Sequence, residues 1–145
     1  MNKKYEFTDE TKILIDGTAL HRIRSIIQIK TPHTIIKPGT LGGWIENEIN
    51  LSHVGNAWVF GDAWVYGDAD ISKTEHYINV GPIGSRNDYT TFYKDKFNNI
   101  QVKCGCFTGS IDEFLKKVDE THKDSKHRLI YRSAASLAML QINLA

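Results

Sequence analysis

Short runs of apolar residues separated by polar ones dominate the start of the chain, a pattern typical of β-strands. The runs at residues 5–8, 12–15 and 18–28 are strand candidates, and Asp16 and Gly17 separate the last two. An Asp-Gly pair between apolar runs favours a tight turn because both residues tolerate positive φ. The pattern therefore predicts an N-terminal β-hairpin.

From residue 41 the chain repeats with a period of six. The clearest copies are residues 59–64 and 65–70, and the same frame extends back over 53–58, 47–52 and 41–46. Repeats of this kind form a left-handed β-helix, a triangular coil in which each hexad is one flat side, and an aliphatic first residue and a small fifth residue point inward. The first positions hold Leu41, Val59, Val65 and Ile71, the fifth positions hold Ala57, Ala63 and Ala69, and Asn47 and His53 depart from the pattern. The repeat predicts a short left-handed β-helix of about two coils.

Four aromatic residues, Trp58, Phe60, Trp64 and Tyr66, fall at outward-facing positions of this frame. Stacked repeats generally need about three or more units to be stable alone, so a two-coil prism needs flanking structure or self-association. An exposed aromatic patch also favours association. We expect a homo-oligomer, specifically a trimer, because the prism presents three flat faces.

After residue 74 the pattern changes to that of an α+β unit. Strand-like runs cover residues 76–80, 88–94 and 98–107, and Ser110 with Glu113 forms a capping box that starts a helix. A second helix is predicted from 125 to 142, with a buried stripe of Leu129, Ile130, Ala134, Leu137, Ala138 and Met139. The chain is thus predicted to be a mixed β and α+β protein with two domains. Residues 1–74 form the hairpin and β-helix, and 75–145 form a unit of about three antiparallel strands and two helices.

Composition and charge narrow the function. The formal net charge is +1, so neither bulk nucleic-acid binding nor membrane attraction follows from net charge, and anion recognition would need a local cluster. The first residues lack the apolar stretch of a signal peptide, and no apolar span is long enough to cross a bilayer. Cys104 and Cys106 make no disulfide framework. We expect a cytosolic protein with free thiols.

Residues 37–46 and 50–59, together with the paired copies that follow, resemble small hexapeptide-repeat proteins encoded by phages and prophages. The stretch from 81–87 through 104–109 is similar to a tail found in phage and prophage proteins that has no established activity. The resemblance implies a location in the host cytoplasm and a role against host defence. Small accessory phage proteins sequester a signalling nucleotide or occlude a defence protein, so both roles are open.

The loop at residues 81–87 is the best candidate for ligand binding. Its two glycines let backbone N–H groups converge, and its polar side chains add donors for a phosphate or carboxylate. Lys94 lies on a neighbouring strand, Tyr89 offers a ring that could stack on a base, and His122 lies near the strand of Cys106. The candidate ligand residues are Gly84, Ser85, Arg86, Asn87, Tyr89, Lys94 and His122. The alternative interpretation is a plain Gly-Pro turn followed by a solvated arginine.

Cys104, Cys106, His122 and His127 have a spacing that faintly resembles a zinc site. Zinc knuckles separate their cysteines by two or more residues, whereas these two continue the apolar row of Ile100 and Val102 along one strand. Packing is therefore favoured, and we expect no metal or other cofactor. A nucleophilic pair of Cys106 and His122 lacks a third orienting residue.

These observations favour a non-enzymatic protein that sequesters a small anionic, nucleotide-type ligand as a homo-oligomer. The first alternative is an inhibitor that occludes a host defence protein, in the manner of an anti-CRISPR, through the four aromatic residues named above. The second alternative is a hexapeptide-repeat acyltransferase, for which His53 is the one repeat histidine that could serve as the base. Two coils leave little groove for a coenzyme, so the enzyme alternative ranks last.

Overall fold

The structure is a computed structural model that describes residues 2–32, 34–123 and 125–142. The chain forms two compact units, Met1–Thr74 and Glu75–Ala145. The boundary between them along the chain falls where the sequence pattern changes. The described residues contain ten strands in three sheets and two α-helices. The predicted mixture of β and α structure is therefore confirmed at this level.

The first unit is built from a four-stranded sheet and a small two-stranded one. Its strands are β1 (Tyr5–Ile13), β2 (Ala19–Ser25), β3 (Ile29–Lys30), β4 (Ile35–Ile36), β5 (Leu41–Ile45) and β6 (Trp64–Val65). The larger sheet has the order β1-β2-β5-β6, and β3 pairs with β4. The larger sheet is mixed, because β5 and β6 are parallel while the other neighbours are antiparallel.

The N-terminal hairpin forms as predicted. Strands β1 and β2 pair antiparallel, and the turn between them is closed by a hydrogen bond of 2.9 Å from the Gly17 N–H to the Leu14 carbonyl. Gly17 has φ of 92°, a conformation that glycine adopts without strain. The two predicted runs at 5–8 and 12–15 are one continuous strand, whose pairing shifts register between Phe7 and Thr11.

The repeat region stacks its chain in parallel layers. Trp44 pairs with Trp64 and Ile45 with Val65, and an isolated parallel bridge joins Leu51 to Ile71. The two partners of each pair are separated along the chain by the length of three hexads plus two residues. The layers therefore stack in a different register from the one that the hexad frame predicts.

The hexad frame is correct for the later copies and wrong for the first. The later inward positions are all buried, namely Ala57, Val59, Ala63, Val65, Ala69 and Ile71. Leu41, however, is 44% exposed, and Ile45 is buried in its place against Val65. The reason is steric, because a Cβ on neighbouring Gly42 would lie 2.7 Å from the Val59 carbonyl oxygen, so this part of β5 lies backbone against backbone.

The segment between β5 and Leu51 is a 3₁₀ turn at Glu48–Asn50 instead of a flat hexad side. Asn50 is fully buried in it. Its Oδ1 accepts hydrogen bonds from the N–H groups of Glu46 and Asn47, at 3.1 and 3.0 Å. Its Nδ2 donates to the carbonyls of Gly67 and Ala69, at 3.0 and 3.1 Å. One side chain thus joins the two layers where strand pairing is missing.

The expected exposed aromatic patch does not form. Trp58 is 0% exposed and Tyr66 is 8% exposed, while Phe60 and Trp64 are half-buried. The Trp58 ring fills the space left by Gly42, since a Cβ there would lie 2.7 Å from its Cζ2. Tyr66 packs with Trp44 and Leu20, and Trp64 lies against that cluster. The prediction that Trp58 and Tyr66 are exposed at the surface is therefore wrong.

The second unit consists of an antiparallel sheet and two helices. Its elements are β7 (Tyr77–Ile83), β8 (Asp88–Lys94), β9 (Ile100–Cys104), β10 (Phe107–Ser110), α1 (Ile111–His122) and α2 (Lys126–Gln141). The sheet order is β10-β9-β8-β7. Four strands replace the predicted three, because Gly105 and Cys106 form a tight turn, with Gly105 at φ of 58°, that splits the run at 98–107.

Helix α1 begins at the predicted capping box, in which the Ser110 hydroxyl accepts from the Glu113 N–H at 3.1 Å. Its buried residues are Phe114 and Val118. In α2 the predicted stripe is correct for Ala134 and Ala138, which are buried, and wrong for Leu129, Leu137 and Met139, which are 65%, 48% and 47% exposed. The helix also packs through Tyr131 and Ala135. Over the described part of the chain, no helix is both long and apolar enough to cross a membrane.

Candidate functional site

A cavity of about 270 Å³ lies within the second unit. Its walls come from the β7–β8 turn, the β9–β10 turn and α1, and Tyr131 of α2 also lines it. The lining residues are Ser85, Arg86, Cys104, Gly105, Cys106, Phe107, Phe114, Lys117, Val118, Thr121, His122 and Tyr131. The cavity therefore collects residues from four elements that are separate in sequence.

The β7–β8 turn is held against Tyr131. Strand β7 continues to Ile83, so the turn comprises residues 84–87 alone and is closed by a hydrogen bond of 3.2 Å from the Asn87 N–H to the Gly84 carbonyl. Gly84 has φ of 77°, and a Cβ there would overlap the Tyr131 hydroxyl oxygen. A side chain at this position would displace the tyrosine, so glycine is required for the turn to form the cavity wall.

Two cations line the cavity without an ionic partner. The Arg86 side chain extends from the β7–β8 turn across the β9–β10 turn, where its Nη1 lies 3.2 Å from the position of a Cβ on Gly105. Lys117 comes from α1. Among the described residues neither side chain forms a salt bridge, and the lining contains no aspartate or glutamate. The cavity is therefore electropositive, although the chain as a whole is nearly neutral.

The inner surface of the cavity is aromatic. Phe114 packs edge-on against Tyr131 with ring centroids 5.8 Å apart, and Phe107 lies tilted against Phe114 at the same distance. The His122 ring lies 5.4 Å from the Tyr131 ring. This surface offers ring faces and edges to an apolar or flat part of a ligand.

The Tyr131 hydroxyl and the Cys104 thiol form a small polar group beside this surface. Burial raises the pKa of Tyr131, the nearby Cys104 raises it further, and hydrogen bonding with Ser85 acts in the opposite direction. The Thr90 hydroxyl donates to the Cys104 sulfur at 3.3 Å. Tyr131 therefore remains a neutral hydrogen-bonding group at physiological pH.

The structure brings together part of the site predicted from sequence. Ser85, Arg86 and His122 line the cavity, and Gly84 packs beneath Tyr131. Asn87 is an exposed turn residue with φ of 49°, and Tyr89 is 41% exposed; neither lines the cavity.

Lys94 is also outside the cavity. It pairs with Ile100 at one end of β8, whereas the cavity lies beside Thr90 and Cys104 at the other, and its Nζ donates to the Asp95 carbonyl at 3.2 Å. Sequence reasoning missed Lys117, Thr121, Phe107 and Tyr131 as site residues. The signal for Lys117 and Thr121 was present, because they follow Phe114 at i+3 and i+7 on one side of α1.

The four metal-ligand candidates do not assemble into a metal site. Cys106 is exposed in the β9–β10 turn and so does not continue the strand row, and Cys104 is half-buried. The rings of His122 and His127 lie edge to face, 5.7 Å apart. Over the described ranges, no group of three or more His, Cys, Asp or Glu side chains could hold a metal ion.

His53, the candidate acyltransferase base, is occupied by structural contacts in the first unit. Its Nδ1 accepts a hydrogen bond of 3.0 Å from the Lys4 N–H, and its Nε2 lies 2.9 Å from the Glu48 carboxylate. The ring stacks on Tyr5 at 4.1 Å. Hydrogen bonding to His53 is the main cause that lowers the pKa of Glu48. Both ring nitrogens are engaged, so His53 has no free lone pair to accept a proton from a substrate.

Comparison with known proteins finds no family model that matches the chain, and no curated protein or solved structure that is similar to it. Function is therefore inferred from the residues of the cavity. A local electropositive cavity with an aromatic interior has features that are common among small-ligand sites.

Proposed function

We propose that this protein binds a small anionic ligand in the cavity of its second unit, and that binding is its function. The observation that carries the proposal is the pair of cations, Arg86 and Lys117, which line one cavity with no ion-pair partner among the described residues. Unpaired cations beside a concave surface attract an anion strongly, because no internal carboxylate competes for them.

The other residues that line the cavity also support ligand binding. The Ser85 and Thr121 hydroxyls and the His122 ring provide hydrogen-bonding groups around the cations. The aromatic surface of Phe107, Phe114 and Tyr131 can take up an apolar or flat portion of the ligand. This combination of an apolar interior with a few polar groups is typical of small-molecule sites.

We also propose a biological setting, which depends on the resemblance to phage-encoded hexapeptide-repeat proteins. In that setting the protein is located in the host cytoplasm and sequesters a nucleotide-type signal that a host defence system needs. The first unit would be a short left-handed β-helix that assembles the chain into a homo-oligomer, a trimer. The parallel pairing of Ile45 with Val65 and of Leu51 with Ile71, and the buried alanines of the repeats, support this proposal.

The two other functions have weaker support. Occlusion of a host protein through the repeat aromatics would need them at the surface, yet Trp58 and Tyr66 are buried. Acyl transfer would need a histidine with a free nitrogen, and both nitrogens of His53 are engaged. Sequestration therefore remains the better-supported proposal.

Native mass spectrometry of the full chain, purified from cells with an active phage-defence system, tests the proposal. We expect a bound small molecule on the wild-type protein and its loss from the double variant Arg86→Gln, Lys117→Gln, because each lost charge removes a charge-assisted hydrogen bond. Lys116→Gln is the matched control, since Lys116 is the exposed neighbour of Lys117 and does not line the cavity. A ligand that the double variant retains, or a wild-type protein that binds no added anion, would overturn the proposal.

A further inference from the structure

The size of the cavity, its charge and its aromatic interior together limit the ligand further than the proposed function does. We infer that the ligand has one aromatic ring system and one phosphate group, the chemistry of a mononucleotide, and that a cyclic dinucleotide does not fit. This ligand assignment rests on the proposed function and concerns the same cavity.

The volume is the first limit. At about 270 Å³ the cavity is smaller than the roughly 300–1,000 Å³ that is typical of sites for drug-sized ligands. A compact ligand with one base matches this volume. A ligand with two bases joined by two phosphates would leave one base outside, because the volume is too small for both.

The charge is the second limit. A phosphate monoester carries roughly −1.5 to −2 charges at pH 7, which matches the two unpaired cations of the lining. Arg86 presents a planar donor fork that suits phosphate oxygens, and Lys117 adds a point charge. The lining offers this one pair of cations, so it suits one doubly charged phosphate monoester better than the two separate, singly charged diesters of a cyclic dinucleotide.

The aromatic surface is the third limit and separates a nucleotide from a bare anion. Phe114 and Tyr131 meet edge to face with centroids 5.8 Å apart, and Phe107 extends the same surface. Aromatic side chains that line a binding site can stack on a nucleic-acid base. Inorganic phosphate cannot use this surface, so it should bind much more weakly than a mononucleotide.

Isothermal titration calorimetry with the full chain tests the inference. The probes are nucleoside 5′-monophosphates, cyclic mononucleotides, a cyclic dinucleotide, inorganic phosphate and a nucleoside without phosphate. We expect at least one nucleoside 5′-monophosphate to bind about tenfold or more tightly than phosphate, the nucleoside or the dinucleotide, and the singly charged cyclic mononucleotides to bind more weakly than it does. The two mononucleotide arms identify whether the phosphate is terminal or cyclic.

Two variants and one control identify the residues that contact the ligand. Lys117→Gln should weaken mononucleotide binding about tenfold, and Lys116→Gln should not. Phe107→Leu should weaken mononucleotide binding and leave phosphate binding unchanged, with circular dichroism checking that the variant is folded.

The outcomes separate the two claims. If the dinucleotide binds and mononucleotides do not, the inference is overturned while the proposed function stands. Phosphate that binds as tightly as every mononucleotide also overturns the inference alone. If no anionic probe binds, both the inference and the proposed function are overturned.

Discussion

Two lysines of the first unit and the two cations of the second-unit cavity have opposite surroundings. In the first unit Lys4 is fully buried, and its Nζ donates to the Ala57 carbonyl at 2.5 Å. Lys12 places its Nζ 4.5 and 4.8 Å from the ring centroids of Trp44 and Trp64. In the second unit Arg86 and Lys117 line a cavity with no ionic partner in the described ranges. The charges of Lys4 and Lys12 are contacted by groups of the fold, and charges without such partners remain available to a ligand.

The turn glycines of the two units also differ in what surrounds them. Gly67 of the first unit has φ of 63°, and nothing lies within 4 Å of the position that a Cβ would occupy, so its turn faces open space. Gly84 of the second unit has a similar φ of 77° but lies directly against Tyr131. The turn at Gly67 leaves room for a side chain, whereas the turn at Gly84 packs against Tyr131 and builds a wall of the cavity.

The largest effect should come from replacing these two glycines. Gly84→Ala combines the cost of a positive φ with a clash against Tyr131, and we expect the second unit to lose roughly 3–5 kcal/mol of its free energy of unfolding. Gly67→Ala should cost the first unit only about 1–2 kcal/mol, from φ alone. Urea unfolding separates the units, because Trp44, Trp58 and Trp64 report on the first and the helical circular dichroism of α1 and α2 reports on the second.

Equal losses in the two variants would contradict the contrast between the turns. The clash also predicts that Gly84→Ala reduces ligand binding, since Tyr131 lines the cavity.

A second effect should appear in the pH dependence of the first unit. Burial lowers the pKa of Lys4 to about 8 from its ordinary value of 10.5, so the unfolded chain binds more protons in between and the folded state gains stability as pH rises. Between pH 8 and 10 we expect a gain of roughly 2 kcal/mol in wild-type protein and a flat profile in Lys4→Met. Above pH 10 the raised pKa of Tyr5 opposes the gain, since ionised tyrosine is favoured only in the unfolded chain.

The measurement is urea unfolding at a series of pH values, followed by tryptophan fluorescence. Lys3→Met is the matched control, because Lys3 is an exposed neighbour and should leave the slope unchanged. A slope that persists in Lys4→Met would show that another group titrates.

The smallest effect should follow the loss of the Lys12 ammonium. Its position over two indole rings is worth about 1 kcal/mol in total, and Lys12→Gln should lower the stability of the first unit by that amount and shift the tryptophan emission. Lys30→Gln, at an exposed position in β3, should do neither. If Lys12→Gln is as stable as wild type, the Lys12 contact contributes nothing and the contrast between the units rests on Lys4.

Local signals in the sequence were sufficient for some elements. The turn at Gly17 and the capping box of Ser110 and Glu113 depend on neighbouring residues alone, and both form as predicted. The register of the repeats was missed, because the frame was extended backward over residues 47–52, where the chain forms a 3₁₀ turn. Periodicity cannot show a local change of backbone conformation when the residue types on either side still match the repeat.

Only part of the site could be predicted from the sequence, for a related reason. Ser85 and Arg86 were identified from residue type and loop position. Lys117 and Tyr131 join them through the packing of α1 and α2 on the sheet, a property that no short motif encodes. The apolar residues of α2 show the same limit, since Leu129 is exposed while Tyr131 packs into the core.

The buried contacts of Asn50 should make residue 50 the position of its segment that tolerates substitution least. Its side chain joins four backbone groups in two layers, which are also linked there by the bridge at Leu51 and by a hydrogen bond from the Gly67 N–H to the Glu46 carboxylate. Ile49 beside it is exposed and is free to vary in sequence. No other side chain of similar size carries one carbonyl acceptor and two amide donors, so substitutions should accumulate around residue 50 and rarely at it.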